Sequence, residues 1–315
     1  MIIIGGLTRL THSGLSITEW KPITGILPPI SDGDWQNEFS KYQQTPEFKE
    51  INFNLNLSDF KFIYLMEFVH RLAGRIIGVL FIVPFLYFTL KKHLKLREII
   101  KLGFIFSLGM LQGFIGWYMV KSGLINKPDI SQYRLALHLI IAVIIYSLLF
   151  WQALNYSKLL VFNKIPIHAF ISLFLILMQI ISGAFVAGLD AGLVYNSFPL
   201  MDGKFIPEGL TSITPKYLNL FENVITVQFI HRVLAMLIVI NTCYFAVKLK
   251  RNYPDKILIR AVHYLIIMLL IQVTLGITTL LYNVPTLIAS LHQIGAIALF
   301  TVTLFITHYL YYKKI

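Results

Sequence analysis

One cysteine, Cys243, stands in a chain of 315 residues, so no intramolecular disulfide can form. Charge is scarce as well. Asp, Glu, Lys and Arg make up 13% of the residues against 57% hydrophobic, far from the balance of a soluble domain. Acidic residues are scarcest, 15 against 27 basic, which leaves a net charge of +12. Proline is almost missing from the apolar segments, where Pro84 is the only mid-span case. That argues against a transporter with helices broken near mid-membrane. No cleavable signal or transit peptide is visible.

What the chain has in excess is apolar runs, with a mean hydropathy of +0.71. Seven segments, about 62–90, 99–120, 134–153, 166–188, 223–247, 258–281 and 285–312, are long enough to cross a hydrocarbon core of about 30 Å. Residues 1–7 read as the last two turns of an eighth span, so the first helix is expected to be truncated in this chain. Two long polar stretches, 8–61 and 189–221, interrupt the pattern. Pro-Pro at Pro28-Pro29 and Ser13-Gly14 mark loop, with a short surface helix expected over 34–42.

The positive charge suggests nucleic acid, but its placement does not. Lys91, Lys92, Lys95, Arg97 and Lys101 fall between two spans, and Lys248, Lys250, Arg251, Lys256 and Arg260 between two others. Lys158 and Lys164 lie in the middle inner loop, and Lys313 and Lys314 at the C-terminus. By the positive-inside rule these segments are cytoplasmic. All of the 15 acids except Glu98 and Asp255 then fall outside or at the outer membrane edge. The basic excess sets orientation and meets anionic lipid, with no nucleic-acid partner implied.

The chain repeats itself. Glu67-Phe-Val-His70-Arg71 is echoed by Gln228-Phe-Ile-His231-Arg232, Gln112…Gly116 by Gln272…Gly276, and His138 by His292. Gly6…Gly14-Leu15 is matched to Gly183…Gly192-Leu193. Landmarks this regular imply two four-helix halves, 1–153 and 154–315. An even number of spans per half relates them by an axis along the membrane normal. The expected fold is an all-α integral membrane protein, an eight-helix bundle built from two four-helix repeats.

His70, His138, His231 and His292 each lie a few residues into a span from its outer end. A single helix-end histidine is usually an interfacial polar group; four at matched depth, paired by a repeat, are site candidates. Zinc or copper would ask for further Cys, His or carboxylate ligands. Two imidazoles on separate helices suit the axial positions of a heme iron. Small residues near them (Ala73, Gly74, Gly78, Ala136, Ala235, Gly295, Ala296) would make room for a flat macrocycle. Arg71 and Arg232 are candidates for propionate pairing. Glu67, one turn outward from His70, is the candidate catalytic carboxylate, and its echo Gln228 is neutral.

Several strings, including Gly5-Gly6-Leu-Thr-Arg9, Trp20-Lys-Pro-Ile-Thr-Gly25, Glu67-Phe-Val-His70-Arg71, Gly116-Trp117-Tyr118-Met119, Ser182-Gly183-Ala-Phe-Val-Ala-Gly188 and Tyr195-Asn196-Ser-Phe-Pro199, together resemble the heme A synthase family of mitochondria and related bacteria. The likeness runs from residue 4 to about 300. It implies oxidation of the C8 methyl of heme O to a formyl group through a hydroxymethyl stage, with water-derived oxygen. It implies a resident heme b on His231 and His292, and a substrate heme site lined by His70, His138 and Arg71. It implies a bacterial inner membrane location with both sites toward the periplasm. Heme O synthase (protoheme farnesyltransferase), cytochrome oxidase assembly factors and a homo-oligomer are the partners it suggests. His12 departs from the Glu usual in relatives, and the first outer loop lacks the cysteine pair of some bacterial members. The competing reading is a bis-histidine diheme cytochrome for quinol-linked electron transfer. Such proteins often stack hemes at two depths, whereas these four histidines are expected at one.

Overall fold

A computed structural model describes residues 1–21, 24–124, 130–156 and 167–311; Lys158, Lys164, Lys313 and Lys314 lie outside them. Helices dominate the described residues, joined by turns and one isolated bridge between Met201 and Lys204. In chain order they are α1 (Ile2–Leu10), α2 (Asp32–Tyr42), α3 (Pro46–Glu50), α4 (Leu57–Leu90), α5 (Leu96–Gly123), α6 (Gln132–Tyr156), α7 (Ile167–Gly188), α8 (Asn219–Glu222), α9 (Val224–Asn252), α10 (Lys256–Leu281) and α11 (Thr286–Tyr311). Seven of them, α4 to α7 and α9 to α11, are long and apolar enough to cross a membrane. Their large apolar side chains stay exposed, as with Val79, Leu80 and Val83 on α4. In water such a surface would aggregate; in lipid it is the solvated face. The chain is a multi-pass membrane protein.

Helix ends explain where sequence boundaries and structure differ. α4 starts at Leu57, five residues before the apolar run, because Asn56 caps it by accepting from the Asp59 amide at 3.0 Å. The two acids on the basic side are also caps. Glu98 accepts from the Lys95 amide at 2.8 Å, and Asp255 accepts from the Ile257 and Leu258 amides at 3.0 and 2.9 Å. A helix start needs an acceptor for its free N–H groups and favours negative charge, which accounts for both exceptions.

Packing divides the chain into two units, Met1–Ile145 and Tyr146–Ile315. Within the second, α7 packs on α9, α9 on α10, α10 on α11 and α11 on α7, closing a ring of four helices. Within the first, α1 and α5 both pack on α4, and Gln112 of α5 donates to the His138 carbonyl of α6 at 3.0 Å.

The first polar stretch is more ordered than its loop signals suggest. Trp35, Phe39 and Tyr42 of α2 pack with Ile17 and with Phe60, Ile63, Tyr64 and Phe68 of α4, and Phe48 of α3 joins them. Tyr42 is fully buried; its ring stacks on Phe60 with centroids 5.2 Å apart, and its hydroxyl donates to Glu47 at 3.0 Å. Burial pushes the Tyr42 phenol well above its usual pKa. The polar spacing masked this cluster because its apolar members are aromatics set among charged residues. Replacing a buried ring by Ala costs about 3–5 kcal/mol. Tyr42→Ala is therefore expected to open residues 32–55 to protease while the seven long helices stay protected, checked by limited proteolysis of the purified protein.

Candidate functional site

The carboxylate of Glu67 is buried on α4, and both of its oxygens are fully engaged. Oε2 accepts from Ser16 Oγ at 2.8 Å and from the Ile17 amide at 2.7 Å. Oε1 accepts from Arg71 Nε at 3.0 Å and Nη2 at 2.6 Å, one turn along the same helix. Arg71 reaches on to the main chain, donating from Nη1 to the Glu19 carbonyl at 2.9 Å and from Nη2 to the Ile17 carbonyl at 3.0 Å. The pair thus clamps residues 16–19, just past α1, onto α4. Lys21 and Lys41 flank Glu19 and hold its carboxyl below the usual range. Beside the clamp, Glu19, Lys21, Lys41, Tyr64, Arg71 and Arg75 line a cavity of about 350 Å³.

The second unit carries the same clamp in other atoms. Arg232 Nη2 donates to the Tyr195 carbonyl at 2.8 Å and Nη1 to the Ser197 carbonyl at 2.9 Å. Tyr195 and Ser197 stand to Arg232 as Ile17 and Glu19 stand to Arg71. Gln228, in the place of Glu67, donates its amide to the Tyr195 carbonyl at 3.1 Å. So the Glu/Gln difference is matched by the loop: one offers an N–H, the other a C=O. Both arginines, expected at propionates, donate to loop carbonyls, and Arg71 also to Glu67; Nε of Arg232 is buried without a partner.

Each of the four histidines lies against a glycine of a neighbouring helix: α1 for His70, α5 for His138, α7 for His231 and α10 for His292. A Cβ built on Gly5 would sit 3.3 Å from the His70 ring, and one on Gly183 would sit 3.4 Å from His231. One on Gly116 would sit 3.0 Å from His138, and one on Gly276 only 2.8 Å from His292. At Gly276 and Gly116 a side chain would force the ring to move, while at Gly5 and Gly183 the fit is close without excluding a methyl. The pairing also corrects the sequence register: Gly5, not Gly6, corresponds to Gly183. The left-handed residues His12 and Asp190, both with φ of 49°, follow in step.

His70 and His138 lie in the first unit, and His231 and His292 in the second. His138, His231 and His292 fall in the second turn of their helices; His70 is two turns further in because α4 begins early. Three glutamines stand one turn before a cradle glycine. Gln112 and Gln179 donate to the main-chain carbonyls of His138 and His231, each at 3.0 Å. Gln179 escaped the sequence reading, although its spacing to Gly183 repeats that of Gln112 to Gly116 and Gln272 to Gly276. Of the small residues expected to admit a macrocycle, Gly78 faces open space, while a Cβ on Gly295 would collide with Gln272. Gly295 therefore makes room for an amide.

Among the described residues no three or more His, Cys, Asp or Glu gather into a metal site. The Nδ1 atoms of His138 and His292 are buried without partners. Two imidazoles from separate helices, with no third ligand among the described residues, suit the axial pair of a heme iron better than a zinc centre.

Comparison with known proteins places this constellation. The family model for cytochrome oxidase assembly protein, COX15-CtaA, matches residues 1–304. The heme A synthase of Wolbachia pipientis subsp. Culex pipiens is 49% identical, with 98% of this chain and 93% of that protein covered. The heme A synthase of Nitrosospira multiformis is 48% identical, covering 98% and 88%. That of Rickettsia felis is 50% identical, covering 96% and 91%.

The clamp yields a direct expectation. Glu67→Gln puts an amide donor against either the Ile17 N–H or the Arg71 guanidinium, so one donor loses its acceptor. Breaking a buried, hydrogen-bonded pair this way costs about 3–5 kcal/mol locally. Hydrogen exchange at the Ile17 amide should accelerate sharply, with the α9 to α11 amides unchanged.

Proposed function

The chain belongs to the COX15-CtaA family of cytochrome oxidase assembly proteins, and on that premise we propose that it is a heme A synthase. As such it is an oxidoreductase acting on heme O. The C8 methyl group is oxidised to formyl through a hydroxymethyl stage, with water supplying the oxygen. Each stage draws an electron pair and protons from the substituent, and the electrons must leave through the protein. The observation that carries this reading is the pair of histidine couples on glycine cradles, in a chain aligned over nearly its whole length with proteins of that name.

His231 and His292 hold heme b in the second half, where α7, α9, α10 and α11 close a ring around them. A heme b there supplies one-electron transfer. His70 and His138 flank the substrate heme in the first half. The repeat is read as α1 with α4 to α6, answered by α7 with α9 to α11, and the matched arginine clamps support it.

Glu67 acts as a fixed negative charge more than as a mobile base. Its oxygens already accept four hydrogen bonds, so taking a proton would break one. A preorganised carboxylate one turn from His70 stabilises positive charge that develops on the methyl carbon as electrons leave. Arg71, Ser16 and the Ile17 amide hold that charge in place.

Location follows from charge. The turn at 91–95 and the helix ends flanking the turn at 253–255 (Lys248, Lys250, Arg251, Lys256, Arg260) carry clustered lysine and arginine, which supports a cytoplasmic face in a bacterial inner membrane and histidines toward the periplasm. A phosphatase fused within 203–207 should be active outside the membrane and one fused after Tyr311 inactive; the reverse pattern overturns the orientation.

Pigment extraction tests the activity. Heme b together with heme O or heme A is expected, whereas heme b alone marks a plain cytochrome. His231→Ala or His292→Ala should abolish the low-spin heme b signal. His70→Ala or His138→Ala should spare that signal while heme A formation fails. Glu67→Gln should lower turnover about 10²–10³-fold at matched heme b content. Ser16→Ala, which loosens the loop but keeps the charge, should cost far less.

A further inference from the structure

Of the four imidazoles, His231 alone has an Nδ1 partner among the described residues. Ser182 Oγ on α7 lies 3.3 Å from it. The Nδ1 atoms of His138 and His292 are buried with none, and the His70 ring makes no hydrogen bond among those residues.

The surroundings also fix the tautomer of His231. Gln179 Nε2 donates to the His231 carbonyl at 3.0 Å, which sets which end of the amide carries the N–H₂. The same nitrogen faces His231 Nε2 at 3.1 Å. An amide N–H₂ only donates, so Nε2 carries the lone pair and Nδ1 carries the proton. Nδ1–H therefore donates to Ser182, and the Nε2 lone pair, which here accepts from Gln179, is the one a metal would take once that amide turns away. In the first half, Ile4 stands where Ser182 stands, as Gly5 stands where Gly183 does. An isoleucine cannot accept.

We infer that Ser182 is the positioning residue that makes the second-half heme resident, and that Ile4 leaves the first-half site free to exchange its heme. The inference rests on heme b being held by His231 and His292. The chemistry is general: a ligating histidine whose other nitrogen donates a hydrogen bond has a fixed orientation and a more basic ligand nitrogen, and losing that partner typically costs 10–100-fold in affinity. An enzyme that keeps one heme and turns over another needs such a difference, since both sites offer two imidazoles on glycine contacts.

The test uses the full-length purified protein, with apomyoglobin as heme acceptor and the low-spin spectrum as readout. Ser182→Ala should speed loss of the resident heme about 10–100-fold and shift its reduction potential positive, because the less basic imidazole stabilises ferric iron less. Ser182→Thr, which keeps the hydroxyl, should restore both. Ile4→Ser should slow heme loss from the first half. Transfer rate and potential unchanged in Ser182→Ala, with His231→Ala still abolishing the signal, would overturn the role of Ser182. A resident heme that survives His231→Ala would instead remove the heme b assignment, and the inference with it.

Discussion

The approach of an imidazole to a helix backbone at a glycine is the contact on which the rest of this structure turns. Once His292 lies where a Cβ on Gly276 would sit 2.8 Å away, α10 and α11 have one spacing and one register. α5 with α6 is nearly as tight at Gly116, and α1 with α4 and α7 with α9 meet more loosely at Gly5 and Gly183. Close helix approach in a bilayer gains van der Waals contact where no hydrophobic driving force acts between helices. It also turns each imidazole into a fixed direction. The glutamines one turn away add a main-chain bond to the facing helix, so both ring and backbone are held.

A second constraint is the need to satisfy backbone groups where the chain leaves the helices. The carbonyls after α1 and α7 lie past the helix ends, where an unmet buried C=O is costly. Arg71 and Arg232 answer this in the same way, with two carbonyls each. Their partners on the helix differ, and the difference is chemical. Glu67 brings a charge to the first half that Gln228 does not bring to the second, and Ser182 brings a hydroxyl to the second that Ile4 does not bring to the first. Two halves that share a scaffold are thereby set apart at two positions beside their ligands. In the heme A synthase reading, one difference serves reaction and the other retention.

The aromatic cluster over the N-terminal end of α4 joins these constraints. Ile17 is at once a member of that cluster, a donor to Glu67 and an acceptor from Arg71. Packing of Trp35, Phe39 and Tyr42 therefore helps keep the clamp closed, and the carboxylate depends on a cap built from residues far from it in the chain. The second half meets the same need with polar groups. Asn219 bonds both the amide and the carbonyl of Ile213, and Asn223 reaches the Gly209 carbonyl at 2.7 Å.

The sequence by itself determined the seven long helices, because apolar runs of bilayer length have few other stable forms. It determined the family, because the loop strings around Gly5, Glu67, Gly116 and Tyr195 are long and specific. It also picked out Glu67 against Gln228, since a charge change within an echoed motif is visible in letters alone. The partners of these residues were not legible. Arg71 and Arg232 bind main-chain carbonyls, which every residue carries, so no pattern of side chains announces them. The glycine register slipped by one, Gly6 for Gly5, because two adjacent glycines look alike until a ring lies against one. Gly295 reads as space for a macrocycle until Gln272 fills it. Tertiary structure alone decided these points: a hydrogen bond or a close approach is set by distance and direction, and the chain encodes those only through its packing.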